Sequence, residues 1–142
     1  MEMLNVEFAP NGKYLAAICQ CSVICLWECG KFHLVHRFHH LEKPPKSSTN
    51  LLSWSPNSRY LLSGSGEDGS LKIWFLDNFC CIKEISNHSR DITALCWSLD
   101  GKFFYSASLD GWIRKYHSSS GLQKDSWNVH TKITQMQINW QR

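Results

Sequence analysis

Short runs of apolar, β-branched and aromatic residues, each broken by glycine, asparagine, aspartate, serine or proline, fill most of the chain. Two such runs, Tyr60-Leu61-Leu62-Ser63-Gly64-Ser65 and Leu71-Lys72-Ile73-Trp74, stand on either side of Asp68-Gly69. An Asp-Gly pair in that setting predicts a hairpin, because the tight turn needs a left-handed backbone that glycine adopts without strain. Asp110-Gly111 repeats the device between the runs over 103–108 and 112–116. No segment places apolar residues at i, i+3, i+4 and i+7 over three turns, so the pattern predicts strands and no long helix.

The pattern also returns along the chain. Phe8-Ala9-Pro10-Asn11-Gly12-Lys13-Tyr14-Leu15, Trp54-Ser55-Pro56-Asn57-Ser58-Arg59-Tyr60-Leu61 and Trp97-Ser98-Leu99-Asp100-Gly101-Lys102-Phe103-Phe104 align as three copies. Each runs from an aromatic residue through a polar turn with one basic residue to a second aromatic and an apolar residue. A further landmark, Trp27, Trp74 or Tyr116, follows the anchors after 19, 20 and 19 residues. Trp140 is a fourth anchor, and Phe8, Trp54, Trp97 and Trp140 are spaced by 46, 43 and 43 residues. A period of that length with short strands inside it matches a four-stranded propeller blade.

Repeat units are expected at 1–40, 47–87 and 88–130, with the start of a further one at 131–142. Strands are expected over 4–8, 14–19, 23–27 and 32–38 in the first unit, and over 51–55, 60–65, 70–75 and 79–85 in the second. The third reads 92–98, 103–108 and 112–116 with a weaker outer strand at 122–129, and 133–140 would open a fourth sheet. The expected fold class is therefore all-β: a partial β-propeller of about three four-stranded antiparallel blades plus one strand of a further blade. An open fan would leave sheet faces and an edge bare. Further blades from a longer chain or another subunit are expected to complete it.

These landmarks resemble the WD40 repeat family, and the resemblance covers nearly the whole chain. A repeat of that family carries a His before its innermost strand, a Ser or Thr in the second strand, an Asp in the following turn and a Trp closing the third. The resemblance implies that the four side chains hydrogen-bond to one another and lock the blade. A buried His or Asp is costly unless paired, and a closed polar network selects one strand register. In the third unit His88, Ser106 and Asp110 fill these positions, with Tyr116 in place of the Trp. In the second they are Ser63, Asp68 and Trp74, while the insertion 41–49 separates His39 and His40 from the unit, so no histidine is assigned to it. The first keeps Trp27, with Ala17 and Cys21 where the Ser and Asp would stand. His130 would begin the next repeat.

Composition narrows the function classes. A 43% hydrophobic share in 142 residues is enough for a buried core. The net charge of +3 comes from scattered Lys and Arg, a solvated surface rather than a phosphate-binding stripe, so nucleic acid is not the expected partner. Seven cysteines, an odd number set in apolar runs such as Val23-Ile24-Cys25-Leu26, read as reduced buried thiols of an intracellular protein, cytoplasmic or nuclear. Met1-Glu2-Met3-Leu4 does not open a signal peptide, and no run approaches the roughly 18 apolar residues of a membrane helix.

The candidate chemistry reads as structural. Cys19, Cys21, Cys25 and Cys29 lie around one strand turn rather than in two metal-binding knuckles, and Cys80 and Cys81 point to opposite faces of a strand. His33 and His36 are likewise expected on opposite faces, in an exposed outer strand that ends at His39 and His40. Asp68, Asp91, Asp110 and nearby serines could supply a Ser-His-Asp site. However, Asp68 and Asp110 recur with the repeat, and a nucleophile elbow, a phosphate loop and paired carboxylates are all missing. The expectation is a non-enzyme without cofactor, metal or small-molecule substrate.

The resemblance implies a platform for protein–protein contacts in a multi-subunit complex. In the family one face is formed by the loops before the first strand and after the second. That places Glu67, Arg90, Asp91 and Leu109 near it, with Lys46 from the basic Pro44-Pro45 loop and Trp112 as an aromatic anchor. The alternative is a module that touches RNA or membrane lipid through basic loops.

Overall fold

A computed structural model describes residues 3–19, 22–40, 50–65 and 69–129. Twelve strands form three four-stranded antiparallel sheets, each in sequence order. The first blade holds β1 (Met3–Phe8), β2 (Tyr14–Cys19), β3 (Val23–Glu28) and β4 (His33–His39). The second holds β5 (Asn50–Trp54), β6 (Tyr60–Ser65), β7 (Leu71–Phe75) and β8 (Cys80–Ile85). The third holds β9 (Ile92–Trp97), β10 (Phe103–Ser108), β11 (Trp112–His117) and β12 (Gln123–Asn128). The expected strands shift by no more than one residue at any end; the strand expected over 133–140, with His130 and Trp140, lies outside the described residues.

The turns explain why the sheets repeat. Among the described residues nine have positive φ, and they fall three to a blade. Gly12, Ser58 and Gly101 occupy the first turn, Ser22, Gly69 and Gly111 the second, and Phe32, Phe79 and Gly121 the third. Each first turn is closed by one side chain: the Oδ1 of Asn11, Asn57 or Asp100 accepts the amide of the residue two positions on, at 3.0 Å. That short polar acceptor competes with strand continuation and makes the chain reverse.

Neighbouring blades bury one face each. Ile18, Ile24, Leu26 and Phe38 of the first pack against Leu52, Trp54, Leu61 and Trp74 of the second. Leu62, Leu71 and Ile73 of the second pack against Ile92, Phe104 and Tyr116 of the third. Each interface also carries an indole bond between innermost strands: Trp54 Nε1–H donates to the Glu7 carbonyl, and Trp97 Nε1–H to the Ser53 carbonyl, both at 3.0 Å. Burial declines outward, from β6, whose last five residues are buried, to β12, which is exposed throughout.

The row Trp54-Leu61-Trp74 that the second blade turns to the first has its counterpart in the first blade as Phe8, Leu15, Trp27 and Leu34, paired across all four strands. There its two ends are exposed, Phe8 at 65% and Leu34 at 39%, while Leu15 and Trp27 are half-buried.

Two expectations need correction. A β-bulge interrupts the ladder between third and fourth strands in every blade, next to Trp27, Trp74 and Tyr116. In β4 it skips one residue, so His33 pairs with Glu28 and His36 with Leu26, which puts both histidines on one face. They serve different partners: His33 lies 3.5 Å from the Glu28 carboxylate, whereas His36 stacks on Phe79 with centroids 4.9 Å apart. Phe79 thus reaches from the third turn of one blade to the outer strand of the preceding one. The cysteines also differ from the reduced set expected, because Cys19 is disulfide-bonded. Cys25, Cys29, Cys80, Cys81 and Cys96 are free. No helix among the described residues is long and apolar enough to cross a membrane.

Candidate functional site

Polar side chains converge at one end of the second and third blades, where the second turn meets the loop before the first strand. In the third blade His88 follows β8 by three residues and is 5% exposed. Its Nδ1 lies 3.2 Å from Asp110 Oδ2 and its Nε2 2.6 Å from Ser106 Oγ. A carboxylate only accepts, so Nδ1 carries the proton and Nε2 accepts from the Ser106 hydroxyl. Asp110 also closes the turn, Oδ1 accepting the Trp112 amide at 2.8 Å and Oδ2 the Ser89 amide at 3.3 Å.

Burial pushes the His88 pKa down, and Asp110 only partly restores it. For Asp110, burial works against the charge, but the Trp112 amide, His88 and the Ser89 amide outweigh it and hold the carboxyl below its usual value. Asp, His and Ser are thus connected as in a hydrolase triad. Ser106, however, is fully buried inside the sheet, where no substrate reaches its oxygen. The arrangement fastens a loop to a strand. Tyr116, also fully buried, stands where the family carries an indole, and its hydroxyl lies beside Ser106 and Asn87 without a hydrogen bond of good geometry.

The second blade holds a histidine that sequence reasoning missed. His40, 1% exposed, lies 2.5 Å from Ser63 Oγ through Nδ1 and 2.9 Å from Ser70 Oγ through Nε2. The Trp74 indole donates to the same Ser63 Oγ at 2.9 Å. His40 is further held by its backbone: its amide donates to the Ser22 carbonyl at 2.9 Å, and its carbonyl accepts from Lys72 Nζ at 2.6 Å. The insertion therefore falls beyond the histidine, between it and β5, and leaves His40 seated directly after β4. Counting from the preceding strand rather than to the following one would have found it. Asp68 lies outside the described residues.

In the first blade Ala17 is buried where a serine stands in the others. Ser22, at the second turn, is fully buried with φ 61° and an Oγ without a partner.

The expected contact residues of the third blade lie along this same edge. The Leu109 amide donates to the Asp91 carbonyl at 3.0 Å, and Ser108 Oγ to the Arg90 carbonyl at 3.2 Å. These bonds clasp the loop before β9 to the turn after β10. Arg90 is exposed, while Asp91, Leu109 and Trp112 are half-buried. The Arg114 guanidinium lies 5.3 Å over the Trp112 ring and covers one face of the indole. The second-blade turn rests on the same loop, since a Cβ at Gly69 would stand 2.7 Å from the His88 carbonyl and 2.8 Å from that of Arg90. Glu67 and Lys46 lie outside the described residues.

Known proteins show the same architecture. In "Structure of U3-55K" a chain superposes with a TM-score of 0.81 over 93% of this chain and 41% of that one, at 18% identity. In "Crystal structure of RRP9 WD40 repeats" the TM-score is 0.82 over 93% and 40%, at 16% identity. By sequence the chain is 26% identical over 121 residues to the Periodic tryptophan protein 2 homolog of Caenorhabditis elegans. It is 29% identical over 129 residues to Protein HIR1 of Gibberella zeae. Both alignments cover 82% of this chain, which spans 12% of the length of either relative. The family model "WD domain, G-beta repeat" matches residues 35–74 and 79–117, more than half of the chain. With three four-stranded antiparallel blades and repeat matches over most of two of them, the chain belongs to the WD40 repeat family.

Proposed function

We propose that the chain is part of a rigid intracellular platform for protein–protein contacts in a multi-subunit assembly, without catalysis or cofactor. The observation that carries this reading is the clasped edge of the third blade. There Arg90, Asp91, Leu109 and Trp112 are carried on loops pinned by backbone bonds and by the buried His88–Asp110 pair. Such an edge presents a half-buried indole and opposite charges at little cost in ordering on binding. The partly exposed apolar row Phe8-Leu15-Trp27-Leu34 supports completion of the ring by a further sheet, from a longer chain or another subunit.

The reading is tested by quantitative co-purification from cells expressing the protein with Trp112→Ala or Arg90→Glu, alongside Lys13→Ala at the opposite edge. Loss of the same stoichiometric partners in the first two, and not in the third, supports it. Identical partner sets in all three overturn it, and retention that collapses steeply with added salt points instead to nucleic acid.

A further inference from the structure

We propose that a groove between the first turns of the second and third blades binds an arginine residue of an extended peptide segment. It lies at the edge opposite the clasped loops, so either site can fail without the other. The groove has a volume of about 490 Å³, and Asn57, Tyr60, Trp97, Leu99, Asp100 and Gly101 are among its lining residues.

A single difference between repeats opens it. Between the first and second blades, the Asn11 amide donates to Ser58 Oγ at 3.0 Å and ties the two turns together. In the third blade Gly101 holds the place of Ser58 with the same left-handed backbone, φ 70° against 62°. No hydroxyl is there to take the Asn57 amide, the counterpart of Asn11. The space is real: a Cβ at Gly101 would meet only Pro56 Cδ, at 3.8 Å.

Asp100 sets the chemistry of the ligand. Its Oδ1 takes the Ser98 hydroxyl at 2.6 Å and the Lys102 amide at 3.0 Å, and those bonds lower the pKa of the carboxyl. Among the described residues no hydrogen bond engages its Oδ2. Asn11 and Asn57 close the other two first turns without a charge, so the turn itself does not require one. Arg59 on the neighbouring turn is already engaged by Asp77 at 2.7 Å, and the Lys102 ammonium contributes only a through-space attraction to Asp100, with no ion pair within 4 Å. A carboxylate oxygen, a free amide and two aromatic rings together suit a planar cation that carries its own carbonyl. Guanidinium pairs with carboxylate and stacks on aromatic faces, and the peptide carbonyl of the same residue can accept from Asn57.

The test is a titration of the isotope-labelled 142-residue chain with N-acetyl-arginine amide, followed through backbone amide resonances, with the uncharged N-acetyl-citrulline amide as control. The Asn57 and Gly101 signals are expected to move and saturate in the millimolar range. Citrulline amide, and arginine amide with the Asp100→Asn variant, are expected to bind about threefold more weakly, as for an exposed ion pair. Gly101→Ser is expected to abolish the response by restoring the bridge that Ser58 makes. Unmoved Asn57 and Gly101 signals, a response unaltered by Gly101→Ser, or equal binding of the two compounds would overturn the proposal.

Discussion

The Trp74 indole donates to Ser63 Oγ at 2.9 Å, whereas Tyr116, at the same position one blade later, buries its hydroxyl beside Ser106 and Asn87 without a hydrogen bond of good geometry. A buried hydroxyl without a hydrogen bond costs free energy that a ring of the same shape avoids. Tyr116→Phe is therefore expected to raise the unfolding free energy by about 1 kcal/mol, read as a higher urea midpoint with an unchanged slope.

The two polar networks should respond to deletion of single members. His40→Ala and Asp110→Ala each leave buried partners short and are expected to destabilise the chain by about 1–3 kcal/mol. Trp74→Ala removes an indole that is 6% exposed and packed between the first two blades, and should cost about 3–5 kcal/mol. Equilibrium unfolding followed by tryptophan fluorescence or circular dichroism measures all three. Midpoints within error of the parent chain would show that the networks contribute nothing to stability.

Backbone strain at the second turn predicts changes of opposite sign at equivalent positions. Ser22 holds a left-handed conformation and an unpartnered buried hydroxyl, so Ser22→Gly should stabilise by about 1 kcal/mol. At Gly69 the same conformation is joined to a carbonyl 2.7 Å from any added Cβ, so Gly69→Ala should destabilise by about 2 kcal/mol or more. Thermal unfolding of the two variants distinguishes these signs directly.

Acid should weaken the fold through His88. Its native pKa lies below the ordinary 6.5, mainly because of burial. Below that pH the unfolded chain takes up a proton that the native one refuses, so this contribution is complete above 6.5 and shrinks as pH falls. Asp110 adds the same trend lower down: its depressed carboxyl contributes stability above 3.8, which is lost as pH falls through its folded value. Urea midpoints should thus decline on going from neutral to about pH 5, and His88→Gln should lower the neutral midpoint while flattening that decline.

Much of this was legible in residues. Asn11, Asn57 and Asp100 announced three first turns, and the asparagine or aspartate oxygen does close each of them. Asp110-Gly111 announced a hairpin, and its glycine adopts the positive φ that the turn requires. His40 was not legible from its distance to β5, because a loop of any length can follow a residue already anchored by Ser22, Ser63 and Ser70. The facing of His33 and His36 was not legible either, since a bulge shifts a strand's alternation without altering its composition. The groove at Gly101 depends on what Ser58 does elsewhere, a comparison between blades rather than a property of one segment.

The sequence by itself determined the strands, their order and their period, because these rest on local turn chemistry and on apolar runs that neighbouring residues specify. Only the tertiary structure decided which polar groups meet, which apolar rows are covered and where a groove remains. Those outcomes depend on contacts between different strands and blades, such as Asn11 with Ser58 and His40 with Ser63. There a hydroxyl, a bulge or a missing Cβ changes the geometry and leaves the strand pattern unaltered.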